Sequence, residues 1–201
     1  GIPAEAYREE WDRAGKEASL AGTRMHENCE RQMLGRFREM HTPRDEEERI
    51  EFRAAWQEVE KIRENRFPGV EPEKLVFSPR FFVAGSIDLL IRKAPKCYLL
   101  LDWKKVKELS YRSFDGKKGI HPATENLFDC NFIHYSLQLS IYEQILRLEH
   151  YIEPDARVEK FLNVYRKEGR FDHLQCLDLP YEALLLMAWN ISNENLSPIP
   201  F

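Results

Sequence analysis

Asp88 lies in an apolar run three residues after Gly85, and Asp102 closes the next apolar run, with Lys104 two residues beyond it. On a strand, residues two apart share a face, so Asp102 and Lys104 point the same way. Two carboxylates brought together at neighbouring strand ends repel unless a cation neutralises them, and hard oxygen donors of this kind suit Mg²⁺ or Mn²⁺. A lysine aimed at the same spot can position or help deprotonate a water, or stabilise charge on a phosphate. In outline this is a site for phosphodiester hydrolysis. The triplet itself is common, since 34 acids and 12 lysines in 201 residues produce about two acid-x-Lys triplets by chance. A bare strand-end ion pair is the plain alternative, and the surrounding elements carry the functional reading.

Two helical stretches supply those surroundings. Gly22, His26 and Glu30 fall at i, i+4 and i+8, one stripe of a helix. His26 could offer an imidazole to a metal, although a lone helical histidine is more often an ordinary surface or core residue. His134, Gln138 and Tyr142 repeat the same spacing on a helix apolar enough to be buried. Buried amides and phenols need partners, and a phosphate or the site lysine would serve; a capped, half-buried helix face is the simpler reading.

Around these motifs, residues 5–14 and 19–37 read as helices. Thr42-Pro43-Arg44-Asp45 starts a third, which Phe67-Pro68-Gly69 ends. Its acidic stretch, 45–64, is expected to be a solvated or partner-facing surface. Residues 75–77, 81–91 and 97–103 read as strands, and 98–101 has the continuous apolar character of a strand buried on both faces. Asn131 is expected to cap a helix running to about Glu149, followed by strands over 158–165 and 174–179, joined by Lys167-Glu168-Gly169-Arg170. A helix begins after Pro180. This order predicts an α/β fold with a central mixed sheet flanked by helices. A single domain is expected over 1–201, helical over 1–70 and sheet-containing over 71–201.

Taken in order, Gly22-Thr23-x-x-His26-x-x-x-Glu30, Ala84-Gly85-Ser86-Ile87-Asp88, Leu101-Asp102-Trp103-Lys104 and Tyr135-Ser136-x-Gln138-x-x-x-Tyr142 resemble the PD-(D/E)XK nucleases. The likeness is to the RecB-type exonuclease branch, which includes CRISPR-associated adaptation nucleases and mitochondrial genome-maintenance exonucleases, and it spans residues 19 to 180. It implies a restriction-endonuclease-like core with an N-terminal helical region. It further implies Mg²⁺ or Mn²⁺ held by His26, Asp88, Asp102 and the Trp103 carbonyl, with Lys104 as the catalytic lysine. Gln138 and Tyr142 would contact the nucleic-acid backbone and orient the lysine, and Glu30, Glu73 and His134 would support the site. The implied activity is a metal-dependent DNA exonuclease acting on free or single-stranded ends. An RNA endonuclease of the cap-snatching type and a catalytically silent nucleic-acid-binding scaffold are the alternatives.

The departures are few. Ile87 stands where the name-giving proline occurs, and Asp102 where glutamate is frequent. Some relatives hold an iron–sulfur cluster with one upstream and three clustered cysteines. Cys29, Cys97, Cys130 and Cys176 are too dispersed for that, so no cluster is expected. The helicase regions that accompany many relatives are missing, so translocation would fall to a protein partner or to other parts of a longer chain.

A hydrophobic share of 43% with 12% aromatics supports a real core. No stretch approaches the ~18 apolar residues of a membrane span, and the first residues do not read as a signal peptide. Four scattered cysteines suit reduced thiols, hence an expected intracellular, reducing compartment. The net charge of −4 is unevenly spread: residues 1–73 carry −5, residues 74–122 carry +7 and residues 123–201 carry −6. The basic third contains Asp88, Asp102 and Lys104. It also holds Lys105, Lys107, Arg112, Lys117 and Lys118, with Tyr111 and Phe114 among them. Basic and aromatic side chains together suit a single-stranded backbone and unstacked bases. The length of the segment and its Gly116 and Gly119 suggest a mobile, substrate-ordered loop rather than a merely solvated one.

Overall fold

Apolar runs separated by short turns in the middle of the chain make a β-meander. In a computed structural model, which describes residues 4–192, β1 (Gly69–Ser78), β2 (Val83–Ala94) and β3 (Cys97–Lys104) pair antiparallel in sequence. β4 (Arg157–Arg166) lies parallel to β3, and β5 (Arg170–Gln175) completes a five-stranded sheet ordered β1-β2-β3-β4-β5. The sheet is therefore mixed, as expected. β3 has a partner on each edge, and Tyr98, Leu100, Leu101, Asp102 and Trp103 are all buried. Parallel β3 and β4 require a crossover, and α3 (Asn131–Leu148) supplies it.

The chain clusters into two units, one formed by the residues up to Asn65 with Tyr165–Phe171, the other by Arg66–Val164 with the residues from Asp172 onward. The second holds β1, β2, β3 and most of β4 and β5, with α3 and α4 (Pro180–Ser192). Its apolar cluster joins Ile87, Leu90 and Leu100 of the sheet to Leu139, Ile145 and Leu146 of α3 and Met187 of α4. Burying each such side chain contributes about 1.5–3 kcal/mol. Twelve of the 18 residues of α3 are buried, so its polar side chains must find partners. Ser136 donates to the Phe132 carbonyl at 2.9 Å, and Glu143 pairs with Arg147 at 2.7 Å and with the buried Lys160. Burial also pushes the Cys176 thiol up to about 12. None of the four cysteines forms a disulfide, and three are buried.

The first unit contains α1 (Ala4–Met33) and α2 (Glu46–Glu64). The two helices expected before residue 37 are one, and the helical part closes at 65 rather than 70. Asp45 caps α2, its side chain accepting the Glu48 N–H at 2.8 Å. The acidic face of α2 is not wholly solvated as expected, because Glu48, Glu51 and Glu58 are buried. Glu48 is taken inside with two cations, Arg24 at 2.8 Å and Arg44 at 3.1 Å. In the turn between β4 and β5, Gly169 has φ +73° and sits against Ile50; an added Cβ would lie 2.7 Å from that side chain.

Further boundaries differ from expectation: β2 covers Val83–Ala94 instead of 81–91, and β5 covers Arg170–Gln175 instead of 174–179, so Arg170 belongs to the strand and not to the connector. β1 starts at Gly69 instead of residue 75 because its first residues pair with β2, Gly69 opposite Arg92. The α3 cap is Cys130, without a side-chain bond. Asn131 instead accepts the Ser110 N–H at 2.8 Å and donates to the Glu108 carbonyl at 2.9 Å, pinning the preceding segment to the helix. That segment carries backbone pairing of its own. Lys118 bridges Phe128, the Gly119 N–H reaches the Leu127 carbonyl at 3.1 Å, and the Asp129 N–H reaches the Lys117 carbonyl at 3.1 Å. Among the described residues no helix is long and apolar enough to cross a membrane.

Candidate active site

The β2–β3 ladder runs from Ala94/Cys97 to Leu89/Leu101. One residue further, side chains take over. The Trp103 N–H donates to Asp88 Oδ2 at 2.7 Å, so the half-buried Asp88 carboxylate caps the strand edge where the ladder ends. A residue in an antiparallel strand presents its N–H and C=O to the same side, which sets the Trp103 carbonyl toward Asp88 as well. On the other side of β2, Pro72 faces Leu89 and Lys74 faces Ile87, leaving Glu73 across from Asp88. Glu73 has φ +47°, a left-handed conformation that is strained for a residue with a Cβ and clusters at functional sites. Its Oε2 accepts the Ser86 hydroxyl at 2.8 Å. A carboxylate oxygen of Glu73 comes within 4.8 Å of one from Asp88.

Asp102 is buried at the end of β3, and Lys104 Nζ lies 2.6 Å from its Oδ2. The two side chains share a face as their spacing requires. Burial alone would lower the Lys104 pKa. The charge and hydrogen bond of Asp102, with Asp88 behind them, outweigh burial and hold it above the usual lysine value. In this arrangement Lys104 stands as a donor and a positive charge beside Asp102.

α3 closes this corner. Tyr142 is buried, and its ring lies against the β2 backbone at Gly85, where an added Cβ would be 2.4 Å from the ring and 2.7 Å from the phenol oxygen. The glycine and the tyrosine of two separate motifs thus meet in one packing contact. Gln138 Nε2 donates to the Tyr142 hydroxyl at 3.0 Å. Burial raises the Tyr142 pKa, with Asp102 and Asp88 adding to it, so the phenol keeps its proton.

Two motif residues to which the sequence reading gives no role also face this corner. Ser86 holds Glu73, and Tyr135 presents its ring face to Lys104 Nζ, 4.6 Å from the centroid. Tyr135, Gln138 and Tyr142 stand at i, i+3 and i+7, so helical spacing held the signal for Tyr135. His134, the expected supporting residue, is exposed and bonds Asp129 at 2.8 Å. His26 and Glu30 lie one turn apart on α1, both half-buried, in the first unit.

Of the basic residues, Lys107, Arg112, Lys117 and Lys118 are exposed and Lys105 is half-buried. Lys118 sits over the Phe128 ring at 3.6 Å and Arg112 over it at 6.0 Å. Tyr111 packs on Phe132 at 4.7 Å, whereas Phe114 is 84% exposed.

No protein-family model matches the chain, and no curated protein does. A crystal structure of a candidate exonuclease from Eubacterium rectale aligns with 70% of this chain at 15% identity and a TM-score of 0.38. The alignment takes in 52% of that protein, so the chain spans about half its length. A superposition this loose transfers neither residues nor activity, and the functional reading rests on the side chains of the β2–β3–α3 corner.

Proposed function

We propose that the chain is a metal-dependent nuclease that hydrolyses phosphodiester bonds in DNA, acting on free or single-stranded ends. One observation carries this reading: acids at adjoining strand ends, with Lys104 bound to Asp102 at 2.6 Å, beneath the Gln138–Tyr142 face of α3.

The donor set fits a hard divalent cation. Glu73 and Asp88 place carboxylate oxygens within 4.8 Å of each other, an arrangement that costs Coulomb repulsion until positive charge is added. Asp88, Asp102 and the Trp103 carbonyl would hold Mg²⁺ or Mn²⁺, with Glu73 beside Asp88; His26 is the further ligand implied by the family resemblance. When bound, the cation supplies Lewis-acid polarisation of the scissile phosphate. Lys104 donates from its ammonium to a phosphate oxygen and stabilises the charge that develops there. The Gln138 amide and the Tyr142 hydroxyl hold the backbone beside it. Lys105, Lys107, Arg112, Lys117 and Lys118 carry the strand toward the site through phosphate contacts.

The test uses end-labelled single- and double-stranded DNA and RNA with circular controls, each with Mg²⁺, Mn²⁺ or chelator. Shortening of linear single-stranded DNA in the presence of metal, with circles resistant, is the expected result. Lys104→Ala and Asp102→Ala each lower the rate by about 10²-fold or more. Wild-type rates in either variant remove the nuclease reading, and cleavage confined to RNA replaces the substrate.

A further inference from the structure

Lys104 is held from two directions by groups on different elements. Asp102, two residues away on β3, supplies the carboxylate at 2.6 Å. Tyr135, on α3, supplies a ring face with the ammonium 4.6 Å from its centroid. An ammonium over a ring face at this distance is attracted by the ring quadrupole, more strongly where water is excluded. The Lys104 side chain is only 16% exposed.

The two contacts do different work. A lysine ammonium is a point charge on a flexible stem with three rotatable donors, so a single carboxylate partner leaves its direction loosely set. In the proposed nuclease Asp102 also serves a cation, which draws on the same charge that holds the lysine. The Tyr135 ring is independent of that competition and comes from a helix anchored by its buried face. Gln138, which the family resemblance assigns together with Tyr142 to orienting the lysine, gives its Nε2–H to the Tyr142 hydroxyl at 3.0 Å.

We infer that Tyr135 is a positioning residue for Lys104, acting through its ring face rather than its hydroxyl, so that the ammonium stays aimed while Asp102 is shared. This rests on the reading of Lys104 as part of a hydrolytic centre. The ring is the essential part, so substitutions that keep its shape separate this role from general packing.

The experiment compares Tyr135→Phe and Tyr135→Leu with wild type in metal-supported cleavage of single-stranded DNA. It adds fluorinated phenylalanines at position 135, which weaken the ring quadrupole while nearly preserving shape. Tyr135→Phe is expected within about twofold of wild type. Tyr135→Leu is expected to lose about tenfold in kcat, with KM within about twofold; tenfold corresponds to about 1.4 kcal/mol. The fluorinated series is expected to lower kcat stepwise with fluorine number. Independently of activity, the Lys104 side-chain methylene protons are expected to resonate upfield in wild type and Tyr135→Phe, and to lose that ring-current shift in Tyr135→Leu. A flat fluorination series, equal kcat in the Phe and Leu variants, or an unshifted Lys104 resonance overturns the inference. If Lys104→Ala itself cuts at the wild-type rate, the nuclease reading fails; if Lys104→Ala is inactive while Tyr135→Leu is normal, only the role of Tyr135 fails.

Discussion

At the scale of single residues, Gly85 is the most exacting position of the candidate site. Its missing side chain is what lets the Tyr142 ring lie on β2, and a methyl group there would sit 2.4 Å from a ring carbon. Both neighbours are constrained, one as strand backbone and the other as a buried ring on a packed helix, so neither yields cheaply. Gly85→Ala is expected to cost about 1–3 kcal/mol in stability through overpacking, and to lower cleavage by displacing Tyr142 from Gln138. Thermal unfolding and cleavage rates for Gly85→Ala, Tyr142→Ala and the double variant check this. The effects should fall short of additive, because both substitutions disrupt the same packing; full additivity would falsify the coupling. In the sequence Gly85 is legible only as a member of the Ala84-Gly85-Ser86-Ile87-Asp88 motif; that the Tyr142 ring packs on it depends on α3.

Among the elements, α2 shows how buried acids are tolerated. Burial works to raise the Glu48 pKa, but hydrogen bonds from Arg24 and from the Arg44 backbone and guanidinium outweigh it and hold the carboxyl at about 2, below its ordinary 4.5. At neutral pH the group is ionised whether the chain is folded or not, and the stabilisation is fully present. As pH falls below about 4.5 the unfolded chain takes up a proton that the folded one refuses, and the stabilisation drains away until about pH 2. The contribution is on the order of 3 kcal/mol. Melting temperature measured from pH 7 to pH 2 should fall across that window, and Glu48→Gln should start lower and fall less. Sequence patterning placed this helix and its start, whereas the burial of Glu48 was not legible. Arg24, its partner on α1, is 24 positions away, and no helical period relates them.

For the whole molecule, charge segregation is the feature that bears on function. The net −4 conceals a stretch of +7 over residues 74–122, containing Asp88, Asp102 and Lys104. Its exposed cations follow β3 on a hydrogen-bonded segment that Asn131 ties to α3. If these cations carry the strand, binding of single-stranded DNA should weaken with salt, by a slope of about 0.7 per neutralised phosphate. Replacing Lys107 and Lys117 with alanine should reduce that slope by about 0.7 for each phosphate no longer neutralised, with similar effect on unrelated sequences. Titrations from about 50 to about 200 mM salt would decide it; an unchanged slope places the substrate elsewhere.

The sequence by itself determined the mixed α/β order, the strands bearing Asp88 and Asp102, the shared face of Asp102 and Lys104, and the Gln138–Tyr142 stripe. Each of these follows from covalent geometry within one element, a period of two on a strand or of 3.6 on a helix. Tertiary structure alone decided that Glu73 stands across from Asp88, that the Trp103 N–H is taken by the Asp88 carboxylate, that Tyr142 rests on Gly85, and that Tyr135 rather than His134 reaches Lys104. These depend on strand register and on which face of α3 packs on the sheet. Both are set by burying the apolar cluster as a whole, so no local spacing contains them.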